Sequence, residues 1–124
     1  MFADTKAYSG FAVDDLDKAE EFYGQTLGLP TTIMDEGNLM NLHLAGGRDT
    51  LVYVSPSFAP ATYTILNFEV DDIDAAVDAL AERGVEFERY EGMEQDEKGI
   101  SRYGPDIAWF KDPAGNILSV LQAS

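Results

Sequence analysis

Residues 11–19, FAVDDLDKA, return 57 positions later as residues 68–76, FEVDDIDAA, with six of nine positions identical and Leu16 replaced by Ile73. A repeat at close to half of a 124-residue chain constrains the fold more than any other feature, because both halves must follow one plan. In each copy an apolar alternation, Phe11/Val13 and Phe68/Val70, runs into paired aspartates and then into apolar residues at helical spacing. Alternation marks a strand and an aspartate at the boundary marks a helix N-cap. The repeated element is a strand-to-helix junction.

The plan extends beyond the junction. Residues 6–13 (KAYSGFAV) read as a strand, and Asp14-Asp15 offer caps for a helix starting near Leu16. Leu16, Ala19, Tyr23 and Leu27 form its stripe, which Gly28 and Pro30 end. LPTTIMDEG, NLMNLHLAG and DTLVYVSP follow as three strands, separated by turn signals at Glu36-Gly37-Asn38 and Gly46-Gly47. SPSFAPAT, with Pro56 and Pro60, is a connector. The order then recurs: a strand over 62–70, a helix with Ile73, Ala76, Val77 and Leu80 on one face, and Gly84 as its C-cap. VEFER (85–89) reads as a strand, and IAWFK and NILSVLQ as a closing hairpin around Asp112-Pro113-Ala114-Gly115. The polar stretch EGMEQDEKGISRYGPD reads as a mobile loop plus one strand. The expected fold is α+β, a pseudo-twofold pair of βαβββ modules within one domain: 6–58, a connector at 59–61, and 62–124. One helix covers one face of each sheet, so the bare faces are expected to make a shared concave surface where function resides.

Composition narrows the partners. Eight Lys+Arg against 23 Asp+Glu give a net charge of -15, which repels nucleic acid and anionic membrane surfaces. The excess acid suits either solubility or attraction of a cationic ligand. Cysteine is absent and histidine occurs once, which removes disulfides, thiolate nucleophiles and thiolate metal sites. No apolar run is long enough to span a bilayer, and MFADTKAYSG lacks a signal-peptide pattern, so a cytoplasmic location is expected.

Three stretches together carry a family resemblance: FAVDDLDKAEEFYGQTLGL, its repeat FEVDDIDAAVDALAERGVEF, and the closing FKDPAGNILSV. The sequence resembles the vicinal oxygen chelate superfamily, which includes glyoxalase I, extradiol dioxygenases, methylmalonyl-CoA epimerase, thiol-transferase fosfomycin-resistance enzymes and bleomycin-binding proteins. The resemblance implies up to four metal ligands, from His, Glu or Gln, on the concave face. Their positions correspond here to Tyr8, to its repeat counterpart Ile65, to Val52 or Tyr53, and to Ser119. None of these is an ordinary metal ligand, so no metal and no other cofactor is expected. The same resemblance implies a homodimer.

Strand alternation assigns the expected lining. Tyr8, Gly10 and Ala12 share a face, as do Ile65, Asn67 and Glu69, and Ile117, Ser119 and Leu121. Leu39, Asn41 and His43 lie opposite Met40, Leu42 and Leu44, which leaves His43 at an edge or in the lining. Glu69 is either a base set in apolar surface or a strand-end residue near solvent. Tyr53, Tyr63, Tyr90, Tyr103 and Trp109 provide rings for a planar ligand, and Arg102 either receives an anion or pairs with the surrounding acid. The expected ligand-binding set is Tyr8, His43, Tyr53, Asn67, Glu69, Arg102, Tyr103, Trp109 and Ser119. The leading expectation is a metal-independent protein sequestering a small organic molecule of toxin or antibiotic type. The alternative is an enzyme of glyoxalase/lyase, isomerase or dioxygenase type with a non-standard site, using Glu69 or His43 as base or ligand.

Overall fold

In a computed structural model, which describes residues 1–123, the chain divides between Ala59 and Pro60 into two units. The first contains β1 (Ser9–Val13), α1 (Leu16–Glu20) running into a π-helical segment (Glu21–Thr26), β2 (Thr31–Met34), β3 (Leu39–Leu44) and β4 (Arg48–Val54). Its sheet has the order β1-β4-β3-β2, with β1 parallel to β4 and the other pairs antiparallel. Phe11, Val13, Met40, Leu42 and Val52 are buried on the face that α1 covers with Leu16 and Ala19 and the π-helical segment with Tyr23. The Tyr23 ring sits 5.5 Å from that of Phe11. Full burial of an apolar side chain of this size contributes about 1.5–3 kcal/mol, so this face holds the unit together.

The second unit contains β5 (Thr64–Glu69), α2 (Ile73–Glu82), β6 (Asp106–Lys111) and β7 (Ile117–Gln122). The order is β5-β7-β6, with β5 parallel to β7. Helix α2 packs on β7 and β6, burying Ile73 and Val77 near Ala108, Phe110, Leu118 and Val120. The turn between β6 and β7 is built by a buried pair. Asp112 accepts from the Asn116 N–H at 2.8 Å and from its Nδ2 at 3.1 Å, while Asn116 Oδ1 accepts from the Ala61 N–H at 2.9 Å.

Both repeated aspartate pairs end as helix caps, and the second member of each makes the bond. Asp15 accepts from the Lys18 N–H and Asp72 from the Ala75 N–H, each at 3.1 Å, satisfying a first-turn donor that has no helical partner. At the other end of α2 the Val85 N–H reaches the Leu80 carbonyl and the Gly84 N–H reaches Ala81, with Gly84 at φ +89°. That is a Schellman closure, which needs the left-handed backbone glycine adopts without a Cβ clash.

Four expectations are corrected. First, β1 begins at Ser9, so Lys6 and Tyr8 lie outside it, and Tyr8 is 70% exposed. Second, the helix widens after Glu20: the Leu27 N–H bonds to Phe22 and the Leu29 N–H to Tyr23. The added residue per turn keeps Tyr23 buried and leaves Leu27 only half-buried, breaking the regular stripe. Third, β5 begins at Thr64 and its register shifts between Thr64 and Leu66, which places Ile65 at a bulge rather than at an alternating position. Fourth, VEFER is not a regular strand; its sheet contact is a single bridge between Phe87 and Phe110. Among the described residues the strand pairing of the segment from 91 to 106 is likewise limited to the bridge Ser101–Ile107, apart from Asp106 at the start of β6.

The Gln95 side chain accounts for that last difference. Its Oε1 accepts from the Tyr90 N–H at 2.9 Å, and its Nε2 donates to Glu88 O at 2.9 Å and Gly99 O at 2.7 Å. One amide thus serves backbone groups that a neighbouring strand would otherwise satisfy. Arg89 adds bonds to the Asp96 and Glu97 carbonyls. The segment is tied down by side chains rather than by a ladder.

The caps generate the first prediction. Asp15→Ala and Asp72→Ala should each lose about 1 kcal/mol of stability. Asp14→Ala and Asp71→Ala should stay within about 0.5 kcal/mol of wild type. Urea unfolding of the four variants measures the contrast.

Candidate functional site

Alternation and register define, in each unit, the face opposite the helix. In the second unit Asn67 lies across from Ser119, and Ser119 from Trp109, so three strands place these side chains in one row. Ser119 Oγ donates to Asn67 Oδ1 at 2.6 Å, which fixes the amide and leaves its NH2 as the outward donor. Tyr90 extends the row, its ring 5.5 Å from Trp109 and nearly perpendicular at 77°. Burial, followed by the neighbouring Glu88 charge, pushes the Tyr90 phenol above its ordinary value, so it remains a neutral donor at physiological pH. The row offers aromatic surface beside an oriented amide, a combination suited to a flat ligand with one acceptor.

In the first unit the corresponding face carries Gly10, Leu51, Asn41 and Thr32 in one row. Ala12, Tyr53, Leu39 and Met34 form the next. Gly10 permits the close parallel approach of β4, since a Cβ there would lie 3.1 Å from the Leu51 carbonyl oxygen. Val52 is fully buried on the helix side, so of the two alternatives only Tyr53, 38% exposed, stands on this face. His43 also lies on it, half-buried and hydrogen-bonded to both neighbouring strands.

The remaining predicted residues are dispersed. Glu69 is exposed at the last position of β5, the strand-end alternative. Tyr63 is 70% exposed and precedes β5. Tyr103, equally exposed, donates to Glu94 at 2.7 Å, and that bond raises its pKa. Arg102 is fully engaged by acid. Its guanidinium contacts Asp74 at 3.0 Å, Asp96 at 3.1 Å and Asp106 at 3.0 Å. Lys98 joins the same network through Asp78 at 3.0 Å and Asp74 at 3.4 Å. The network clamps residues 96–106 to α2, so Arg102 is not an open receptor for an anion. Sequence reasoning missed Thr32 and Asp49 as partners of His43 and Gln95 as the loop staple. Their only sequence signal is strand parity, which selects a face but not a neighbour.

Residues 7–120 match the model of the Glyoxalase/Bleomycin resistance protein/Dioxygenase superfamily. The chain belongs to this superfamily. Protein YraH of Bacillus subtilis (strain 168), itself uncharacterized, is 27% identical, with 89% of this chain and 91% of that protein covered. Two solved structures share the fold over nearly their whole length. TnmS3, an antibiotic binding protein from Streptomyces sp. CB03234, has a TM-score of 0.70 at 24% identity, with 98% of each chain covered. A glyoxalase/dioxygenase from Nostoc punctiforme has a TM-score of 0.71 at 17% identity, with 99% of this chain and 94% of that one covered. No helix among the described residues is long and apolar enough to cross a membrane.

The metal implied by the superfamily resemblance does not fit the residues present. The expected ligand positions hold Tyr8, Tyr53, Ile65 and Ser119, which supply hydroxyls and an alkyl group where imidazole and carboxylate are needed. Among the described residues no group of three or more His, Asp or Glu side chains is placed to hold a metal ion.

The ion network yields a prediction with a definite sign. Arg102, hydrogen-bonded to Asp74, lowers that carboxyl below its ordinary 3.8. Asp96 is also lowered, because the Ile100 and Lys98 N–H groups and Arg102 outweigh the opposing effect of its burial. Both carboxylates therefore stabilise the fold above the ordinary aspartate range, and that contribution is lost as pH falls through their lower folded values. Arg102→Gln should unfold at lower urea than wild type at about pH 7, with the difference shrinking towards about pH 2. Added salt should narrow the gap at neutral pH.

Proposed function

We propose that this protein binds a small, flat organic molecule of toxin or antibiotic type and sequesters it without a metal. The observation that carries this reading is the row Tyr90–Trp109–Ser119–Asn67, which sets an aromatic surface beside an oriented amide. Binding by stacking and one or two hydrogen bonds needs no Lewis acid, in keeping with the residues at the expected ligand positions. The net charge of -15 favours a cationic ligand, since the field of the protein raises the local concentration of opposite charge. The likeness to TnmS3 supports the same direction. A homodimer acting in the cytoplasm, with no nucleic-acid or membrane partner, completes the proposal.

The test is a thermal-shift screen of cationic and neutral planar natural products, followed by calorimetry on any hit. Trp109→Ala should weaken a hit about tenfold, the worth of one aromatic contact of about 1.4 kcal/mol. Asn67→Leu should weaken it by a similar factor. A hit whose affinity ignores both substitutions would refute the assignment of this row. Elemental analysis of dialysed protein should find Zn, Ni, Fe and Mn far below one per chain; stoichiometric metal would overturn the metal-free reading.

A further inference from the structure

Asp49, His43 and Thr32 form a hydrogen-bonded series across three adjacent strands of the first unit. Asp49 on β4 stands directly opposite His43 on β3, with Oδ1 2.9 Å from Nδ1. Thr32 Oγ1 on β2 lies 2.7 Å from His43 Nε2. The His43 backbone is itself fixed by its N–H bond to the Pro30 carbonyl at 2.9 Å. A carboxylate oxygen only accepts, so in the neutral imidazole Nδ1 carries the hydrogen and Nε2 is left to accept the threonine hydrogen. A hydroxyl bonded to a base, with that base oriented by a third group, is the arrangement that activates an oxygen nucleophile. Asn41 completes it. This residue is the cross-strand neighbour of Thr32, and among the described residues its Nδ2 donates only to the Met34 sulfur, at 3.7 Å, a weak acceptor that a developing oxyanion would displace.

We propose that this face carries a hydrolytic site for activated esters, with Thr32 as nucleophile, His43 as general base, Asp49 as positioning residue and Asn41 as oxyanion donor. Thr32 Oγ1 adds to the acyl carbon as its proton passes to His43 Nε2. The tetrahedral oxyanion is held by Asn41 Nδ2. The bond from carbon to the leaving oxygen then breaks, and Nε2 returns the proton to the departing alkoxide. Water attacks the acyl-threonine, losing a proton to Nε2; the bond from the acyl carbon to Thr32 Oγ1 then breaks, Nε2 returns that proton to Oγ1, and the carboxylic acid leaves with Thr32 and His43 restored. No metal or redox partner enters the balance.

The side chains of His43 and Asp49 are 38% and 50% exposed, so an ester reaches them from solvent. The same exposure leaves the charges in a high-dielectric setting, and the rate enhancement is correspondingly modest. No Lys or Arg is among the four residues, and the protein carries a net charge of -15, so neutral or cationic esters are the substrate class. This activity goes beyond ligand sequestration and is independent of it, because every residue it uses lies in the first unit and none belongs to the row around Trp109.

The probe is p-nitrophenyl acetate, with p-nitrophenol release followed by absorbance and the quenched protein mapped by peptide mass spectrometry. Wild type should release p-nitrophenol about a hundredfold faster than Thr32→Val or His43→Gln, the scale of a general-base contribution. Thr32→Ser should retain the activity. Asp49→Asn should lower kcat with KM unchanged, which a purely structural partner would not do. The acetyl group should appear on the peptide containing Thr32 in wild type and be absent from His43→Gln. Valine suits a strand, and circular dichroism reports whether each variant is folded; should Thr32→Val unfold, His43→Gln decides. Release that survives in a folded Thr32→Val or His43→Gln, or acetyl found only on lysines, the N-terminus or the imidazole, would overturn the proposal.

Discussion

A single helix laid on each sheet is the constraint from which the rest of the molecule follows. A strand alternates its side chains between two faces, and one helix can bury only one of them. Phe11, Met40, Leu42 and Val52 in the first unit, and Ala108, Phe110, Leu118 and Val120 in the second, occupy the covered faces. Their alternate neighbours are thereby released from packing duty. The opposite faces carry Asn67, Trp109 and His43, together with Thr32, Asn41 and Asp49, a composition that would be expensive in a core and is suited to a surface that recognises or transforms a ligand.

The two units share a plan but not a chemistry. Both pair their first strand in parallel with their last, and both place a capping aspartate at the second position of the repeated pair. Yet the row that reads Gly10–Leu51–Asn41–Thr32 in one unit reads Asn67–Ser119–Trp109 in the other. The backbone plan is shared, and the helix-free faces differ. The paired aspartates are shared because they serve the helices, which explains why the most obvious sequence motif lies outside both candidate sites.

The repeat, both caps, the glycine stop of α2 and the closing hairpin were readable because each depends on neighbours within a few residues. Parity also grouped Asn67 with Glu69 and Ser119 with Ile117 and Leu121, but it left Val52 against Tyr53 open and did not choose a face for Trp109; strand register and burial supply both. Reading failed where a side chain replaced backbone pairing: Gln95 supplies bonds that a strand beside VEFER would have supplied, and no local pattern announces that. It failed again where an extra residue was inserted, in the widened helix after Glu20 and at the bulge around Ile65. The partners of His43 were hidden for a third reason. Thr32 and Asp49 are brought to it by register between strands, which depends on turn geometry and not on residue type.

Parallel closure of each sheet has a consequence during synthesis. Thr50 follows Ser9 by 41 positions, and Ser119 follows Asn67 by 52. A nascent chain leaving the ribosome therefore presents β1, with Phe11 and Val13 still uncovered on one side, long before its partner strand exists. The antiparallel ribbon β2-β3-β4 can form first, and β1 is then captured onto its edge as a late, long-loop event. Translation speed between the two strands sets how long that apolar edge stays open to chaperones or to other nascent chains.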